Sequence, residues 1–124
     1  MNEVTKKEFT HLKIHTQYSI CEGALKTADL AKFCKTNQIR AVGLCDSNNL
    51  CGALEFSESI AKSRTQPIIG TQINIQYKGS IGKIPLFAKD IDGYKNLIKL
   101  SSKSFLEIKN DEEPHCNFDD IETH

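Results

Sequence analysis

The sequence predicts an α/β fold built around a parallel sheet, and three observations carry that reading. Strand-like and helix-like patterns alternate in the order β-α-β-α-β-β-α. Ala41-Val42-Gly43-Leu44-Cys45 is a nearly continuous apolar run that ends at Asp46, as in a strand covered on both faces. Single helices separate successive strands, which implies parallel pairing through right-handed crossovers. In such folds functional groups collect at the carboxyl ends of the strands.

The elements follow in chain order. Residues 1–8 are a polar N-terminal tail with no apolar segment, and residues 12–15 form a short strand. A loop over 18–23 contains Gly23, a residue suited to a tight turn. Thr27 is a candidate N-cap, with Asp29 in the first turn of a helix over 28–37 and Leu30, Phe33 and Cys34 at helical spacing. The strand over 41–45 comes next. Asn48 or Asn49 can cap a second helix that places Leu50, Ala53, Leu54, Ile60 and Ala61 on its core side and runs to about Lys62. Pro67-Ile68-Ile69-Gly70 opens a third strand, continued by Ile73 and Ile75 alternating with Gln72 and Asn74. Gly79 and Gly82 mark a turn before a fourth strand over 84–88. Asp90 or Asp92 caps a helix expected to carry Tyr94, Leu97, Ile98, Ser101 and Phe105 on one face. The polar segment 109–124 is acidic and loop-like, with one more short helix beginning near its end.

The 124 residues are enough for one modest domain. Sixteen Lys+Arg balance sixteen Asp+Glu, so the formal net charge is zero. That balance gives no electrostatic footprint for nucleic acid or an anionic membrane. Arg40 and Arg64 are the two arginines, too few for a planar phosphate-binding surface. The five cysteines are odd in number and contain no CxxC pair. They read as reduced thiols in a cytoplasmic protein rather than as a disulfide scaffold or zinc ribbon. No apolar run approaches the ~18 residues of a membrane span.

The chemistry concentrates in Phe9-Thr10-His11-Leu12-Lys13-Ile14-His15-Thr16-Gln17-Tyr18-Ser19. Strand alternation places His11, Lys13 and His15 on one face. Two imidazoles and an ammonium at a strand end resemble a metal site with one ligand missing, because an ammonium has no lone pair to give. Asp46 ends the second strand close to the same point. It either lines this site or caps the turn before Asn48.

Four ordered motifs then carry a resemblance: the stretch just quoted, Cys45-Asp46-Ser47-Asn48-Asn49-Leu50-Cys51-Gly52, Pro67-Ile68-Ile69-Gly70-Thr71-Gln72, and Gly93-Tyr94-Lys95-Asn96-Leu97-Ile98-Lys99-Leu100. Together they resemble the N-terminal PHP (polymerase and histidinol phosphatase) domain of bacterial DNA polymerase III alpha subunits. The resemblance implies the N-terminal part of a distorted (β/α)7 barrel, with the domain truncated and the polymerase domains absent from these residues. Active members of the family use divalent zinc, manganese or magnesium to hydrolyse phosphoesters, some as a 3′–5′ exonuclease. Inactive members serve as scaffolds.

Carried over position by position, the resemblance places former ligands at Lys13, His15, Glu22, Ser47 and Gln72. His15 and Glu22 retain donor chemistry. Lys13, Ser47 and Gln72 do not, and an amide and a hydroxyl replace charged ligands poorly. His11 and Asp46 line the site. The expectation is therefore a vestigial site with no cofactor and no catalytic residue. Lys13 is expected to bridge Glu22 and Asp46 in place of a metal. Two functions remain in play: a non-catalytic scaffold within a replicative polymerase, or a metal-dependent phosphoesterase or exonuclease. The implied partners are the remainder of the alpha subunit and a proofreading exonuclease subunit, with no direct nucleic-acid or membrane contact from this segment.

Overall fold

A computed structural model describes residues 8–109 and 111–123. The expected N-terminal tail, apart from Glu8, lies outside the described residues. The elements are α1 (Thr27–Thr36), β1 (Ala41–Ser47), α2 (Ala53–Lys62), β2 (Gln66–Tyr77), β3 (Ser80–Phe87), α3 (Ile91–Leu106), β4 (Cys116–Asn117) and α4 (Phe118–Thr123). β1 and β2 pair in parallel, from Ala41 beside Gln66 to Ser47 beside Gln72. β3 returns antiparallel along β2, and β4 pairs in parallel with Ile75 and Gln76.

Strand alternation divides the sheet into two faces. Val42 and Leu44 of β1 pack with Leu30, Ala31, Cys34, Ala53, Phe56 and Ile60 in a core under α1 and α2. Ile73 and Ile75 of β2 pack with Leu100 of α3 and Cys116 in a second core. Side chains of the other phase, Cys45 and Ser47 on β1 and Gly70, Gln72 and Asn74 on β2, belong to the opposite face. The polar candidates therefore share one side of the sheet because the apolar residues between them claim the other.

Several expectations need correction. The strand expected over 12–15 is reduced to an isolated parallel bridge between Ile14 and Leu44. Gly43 N–H donates to His11 O at 2.7 Å, and Cys45 N–H donates to Ile14 O at 2.8 Å. Three residue steps thus face two on β1, which is the geometry of a bulge. A Cβ at Gly43 would lie 2.7 Å from the Leu12 backbone, so glycine permits this close approach. The bulge puts His11 out of phase with His15. His11 is exposed, edge-on to Phe9 at 4.8 Å between ring centres.

Thr27 is the first helical residue rather than the cap. The N-cap of α1 is Lys26, with no side-chain cap bond. The second helix begins at Ala53, with Gly52 as its N-cap. Asn49 instead closes a turn, accepting from Cys51 N–H at 3.1 Å and donating to Tyr18 O at 2.9 Å. Of the two cap candidates for α3, Asp90 takes the role and accepts from Gly93 N–H. The buried face of α3 is Leu97, Leu100 and Ser104, while Ile98 and Phe105 are 43% and 52% exposed. The sheet lies a fraction of a turn around the helix from where apolar spacing alone placed it. Residues 111–123 supply the expected short helix as α4, and also β4 and the buried Cys116, where only loop was expected.

Candidate site at the strand ends

The chain after the Ile14 bridge turns sharply at 16–23, and Asp46 holds the turn. One carboxylate oxygen accepts from Thr16 N–H at 2.6 Å and from Ser19 Oγ at 2.7 Å. The other accepts from Thr16 Oγ1 at 2.7 Å. Asp46, Thr16 and Ser19 are all buried. Thr71 Oγ1 adds a bond to the Asp46 carbonyl at 2.8 Å, tying the end of β1 to β2. Asp46 lies in phase with Val42 and Leu44 and so shares the helix-facing side of β1. It neither caps the turn before Asn48 nor faces the polar side of the sheet.

This arrangement corrects the bridging role expected of Lys13. The Asp46 carboxylate is occupied by Thr16 and Ser19, and no carboxylate lies within 4.0 Å of the Lys13 ammonium among the described residues. Lys13 is exposed and acts electrostatically on Cys45. That thiol is pushed up to about 11 mainly by burial, with Lys13 opposing the rise. Burial likewise pushes Cys116 up to about 11. Both thiols are poor nucleophiles at neutral pH.

The polar side of the sheet forms a cavity of about 160 Å³ lined by Glu22, Ser47, Asn48, Gln72, Asn74, Lys83, Glu113 and Pro114. Ser47 and Gln72 are register partners, as are Asn74 and Lys83. Ser47 Oγ donates to Glu22 Oε2 at 2.6 Å. That bond is the main reason the Glu22 carboxyl is held below its ordinary range, with smaller help from Lys83 and His15. Asn74 Nδ2 donates to Pro114 O at 3.0 Å and fastens the 111–115 segment over the cavity. His15 is half-buried, and its Nδ1 has no hydrogen-bond partner. Gln72 Oε1 and Asn48 Oδ1 are also buried without partners.

Five former ligand positions were expected from the sequence. Glu22, Ser47 and Gln72 meet in this cavity, and His15 lies close enough for its charge to act on Glu22. Lys13 and the site-lining candidates His11 and Asp46 are not among its lining residues. Asn48, Asn74, Lys83 and Glu113 were missed. A two-residue hairpin at 78–79 would have revealed Lys83, because that loop fixes its register opposite Asn74.

The donor chemistry does not fit the metal centre that the family implies. The cavity and its margin offer one imidazole and two carboxylates, Glu22, already bound to the hydroxyl at a neighbouring ligand position, and Glu113, which lies outside the implied ligand set. The other donors are neutral amides, and an ammonium faces them. Among the described residues, no group of three or more His, Cys, Asp or Glu side chains is placed to hold an ion.

A mixed sheet with helices packed on one face and a polar cavity on the other defines the class: an α/β domain. The sequence profile of the PHP domain matches residues 11–124. The chain is 41% identical over 119 residues to a DNA polymerase III subunit alpha from Rickettsia conorii, covering 94% of this chain and 10% of that protein. The corresponding subunits of Helicobacter pylori and Thermus aquaticus are 38% and 35% identical, covering 82% and 83% of this chain and 9% and 10% of theirs. A solved structure from Bifidobacterium adolescentis, described as a metal-dependent phosphoesterase, superposes with a TM-score of 0.58 at 16% identity, over 77% of this chain and 32% of that one. That likeness concerns the fold. The chain belongs to the PHP domain family and is homologous to a segment of the polymerase III alpha subunit. No helix among the described residues is long and apolar enough to cross a membrane.

Proposed function

We propose that this chain is the N-terminal PHP portion of a replicative DNA polymerase alpha subunit and acts there as a non-catalytic scaffold in the cytoplasm. The observation that carries the reading is the Ser47–Glu22 hydrogen bond. At two positions where active relatives are expected to ligate metal, this chain bonds its own side chains to each other. Phosphoester hydrolysis by a metal centre needs an ion that polarises the phosphoryl oxygen and generates a nucleophile from bound water. Here a hydroxyl, an amide and an ammonium occupy the places from which ligands would come. The relatives' names support the polymerase assignment. The partners are the remainder of the alpha subunit and, docked on the scaffold, a proofreading exonuclease subunit.

The test is hydrolysis of single-stranded DNA and of a generic phosphoester by the purified chain in millimolar manganese. We expect no turnover above background. Turnover that disappears in His15→Ala would overturn the proposal in favour of a metal-dependent exonuclease or phosphoesterase.

A further inference from the structure

The cavity holds a surplus of electron-rich groups. Glu22 and Glu113 line it from two segments distant in sequence. Gln72 is 5% exposed, lines the cavity and has an unpartnered Oε1, and Asn48 Oδ1 is unpartnered too. Buried carbonyl oxygens without donors are costly, so this collection, with the two carboxylates, favours a donor or a cation nearby. Lys83 is the cationic side chain lining the cavity. Its place is set by β2–β3 pairing, which puts it opposite Asn74 on the polar face.

We propose that the Lys83 ammonium is the resident cation of this cavity, taking by charge the place that a metal ion holds in active relatives and thereby excluding divalent ions. The inference rests on the reading above that the site is metal-free, and it names the group responsible. No carboxylate lies within 4.0 Å of Lys83 among the described residues. The ammonium, on an exposed side chain, therefore acts through space and favours the charged form of Glu22. Its four-carbon stem also lets it swing among the carboxylates and amide oxygens. A compact ammonium held by a strand needs no ligand set, so it offsets part of the Glu22 and Glu113 charge without ligands at Ser47 and Gln72.

The test is calorimetric titration of manganese into the full chain and its Lys83→Met and Lys83→Arg variants. Removing the charge exposes Glu22, Glu113 and His15 to an incoming ion. We expect Lys83→Met to bind manganese about tenfold more tightly, the effect of withdrawing one unit charge from near a divalent ion in a water-like dielectric. Lys83→Arg keeps the charge and matches the wild type. Lys83→Gln, polar and of similar reach, carries the same expectation if methionine unfolds the chain. Equal affinity in wild type and in the charge-removing variants overturns the proposal, as does an arginine variant that behaves like methionine. A stoichiometric ion in the wild type as purified would instead sink the metal-free reading itself, so the two failures are distinguishable.

Discussion

Asp46 is the residue on which the site's architecture depends. Its carboxylate accepts three hydrogen bonds in a fully buried position. Asp46→Ala would leave a backbone N–H and two hydroxyls without their acceptor. Each orphaned buried donor is costly, and the expected loss is about 3 kcal/mol in total, or roughly 10 °C in melting temperature. Asp46→Asn keeps one oxygen for Thr16 N–H and Ser19 Oγ, while the Thr16 hydroxyl can rotate to accept from the new amide. Its loss should be distinctly smaller. Thermal melts of the two variants check this, and equal destabilisation would mean that charge, not hydrogen-bond count, holds the turn. The sequence marked Asp46 as important through its place at a strand end. Its partners, 27 and 30 residues away, are set by tertiary geometry that no local pattern encodes.

At the scale of elements, the β2–β3 hairpin decides which side chains reach the cavity. Its loop is Lys78-Gly79, both with positive φ, at 48° and 81°. That pair of conformations matches the type I′ turn, which favours Asn-Gly. Lysine at the first position carries a small penalty there. Lys78→Asn should therefore raise stability by roughly 0.5–1 kcal/mol without changing register, read as a shift in the urea midpoint at constant slope. A fall in stability would show that the lysine stem matters to the hairpin, for instance through its placement over the Tyr77 ring at 5.1 Å. The elements themselves were largely legible: α1, β1, β2 and α3 lie close to their expected spans, because apolar periodicity reports burial directly. The first strand and the buried face of α3 were misjudged for one shared reason. A bulge and a small helix rotation each shift phase while leaving the apolar spacing of the sequence unchanged.

Across the whole molecule, two apolar cores on one side of the sheet leave a polar face on the other, and that face closes into a cavity lined by Glu22, Ser47 and Gln72. The family and the sheet's parallel start were readable from four motifs in order. The residue types at Lys13, Ser47 and Gln72 were readable too, and that these are former ligand positions is what the resemblance implies. What filled the gap was not: the sequence suggested Lys13, whereas the pairing of β3 brings Lys83 to the cavity from a segment whose turn was misplaced by a few residues. β3 also presents an outer edge with no partner strand among the described residues, open to pairing with a further strand.

The claim that internal hydrogen bonds and a lysine replace the metal has a direct measurement. The chain is purified without chelator, its zinc, manganese and iron content is measured by mass spectrometry, and its melting temperature is recorded with and without excess EDTA. A ligand that binds only the folded state raises stability by mass action, so stripping a structural ion must lower the melting temperature. We predict metal well below stoichiometric and a melting temperature unchanged by EDTA. An equimolar ion together with a clear fall in melting temperature on chelation would contradict the account.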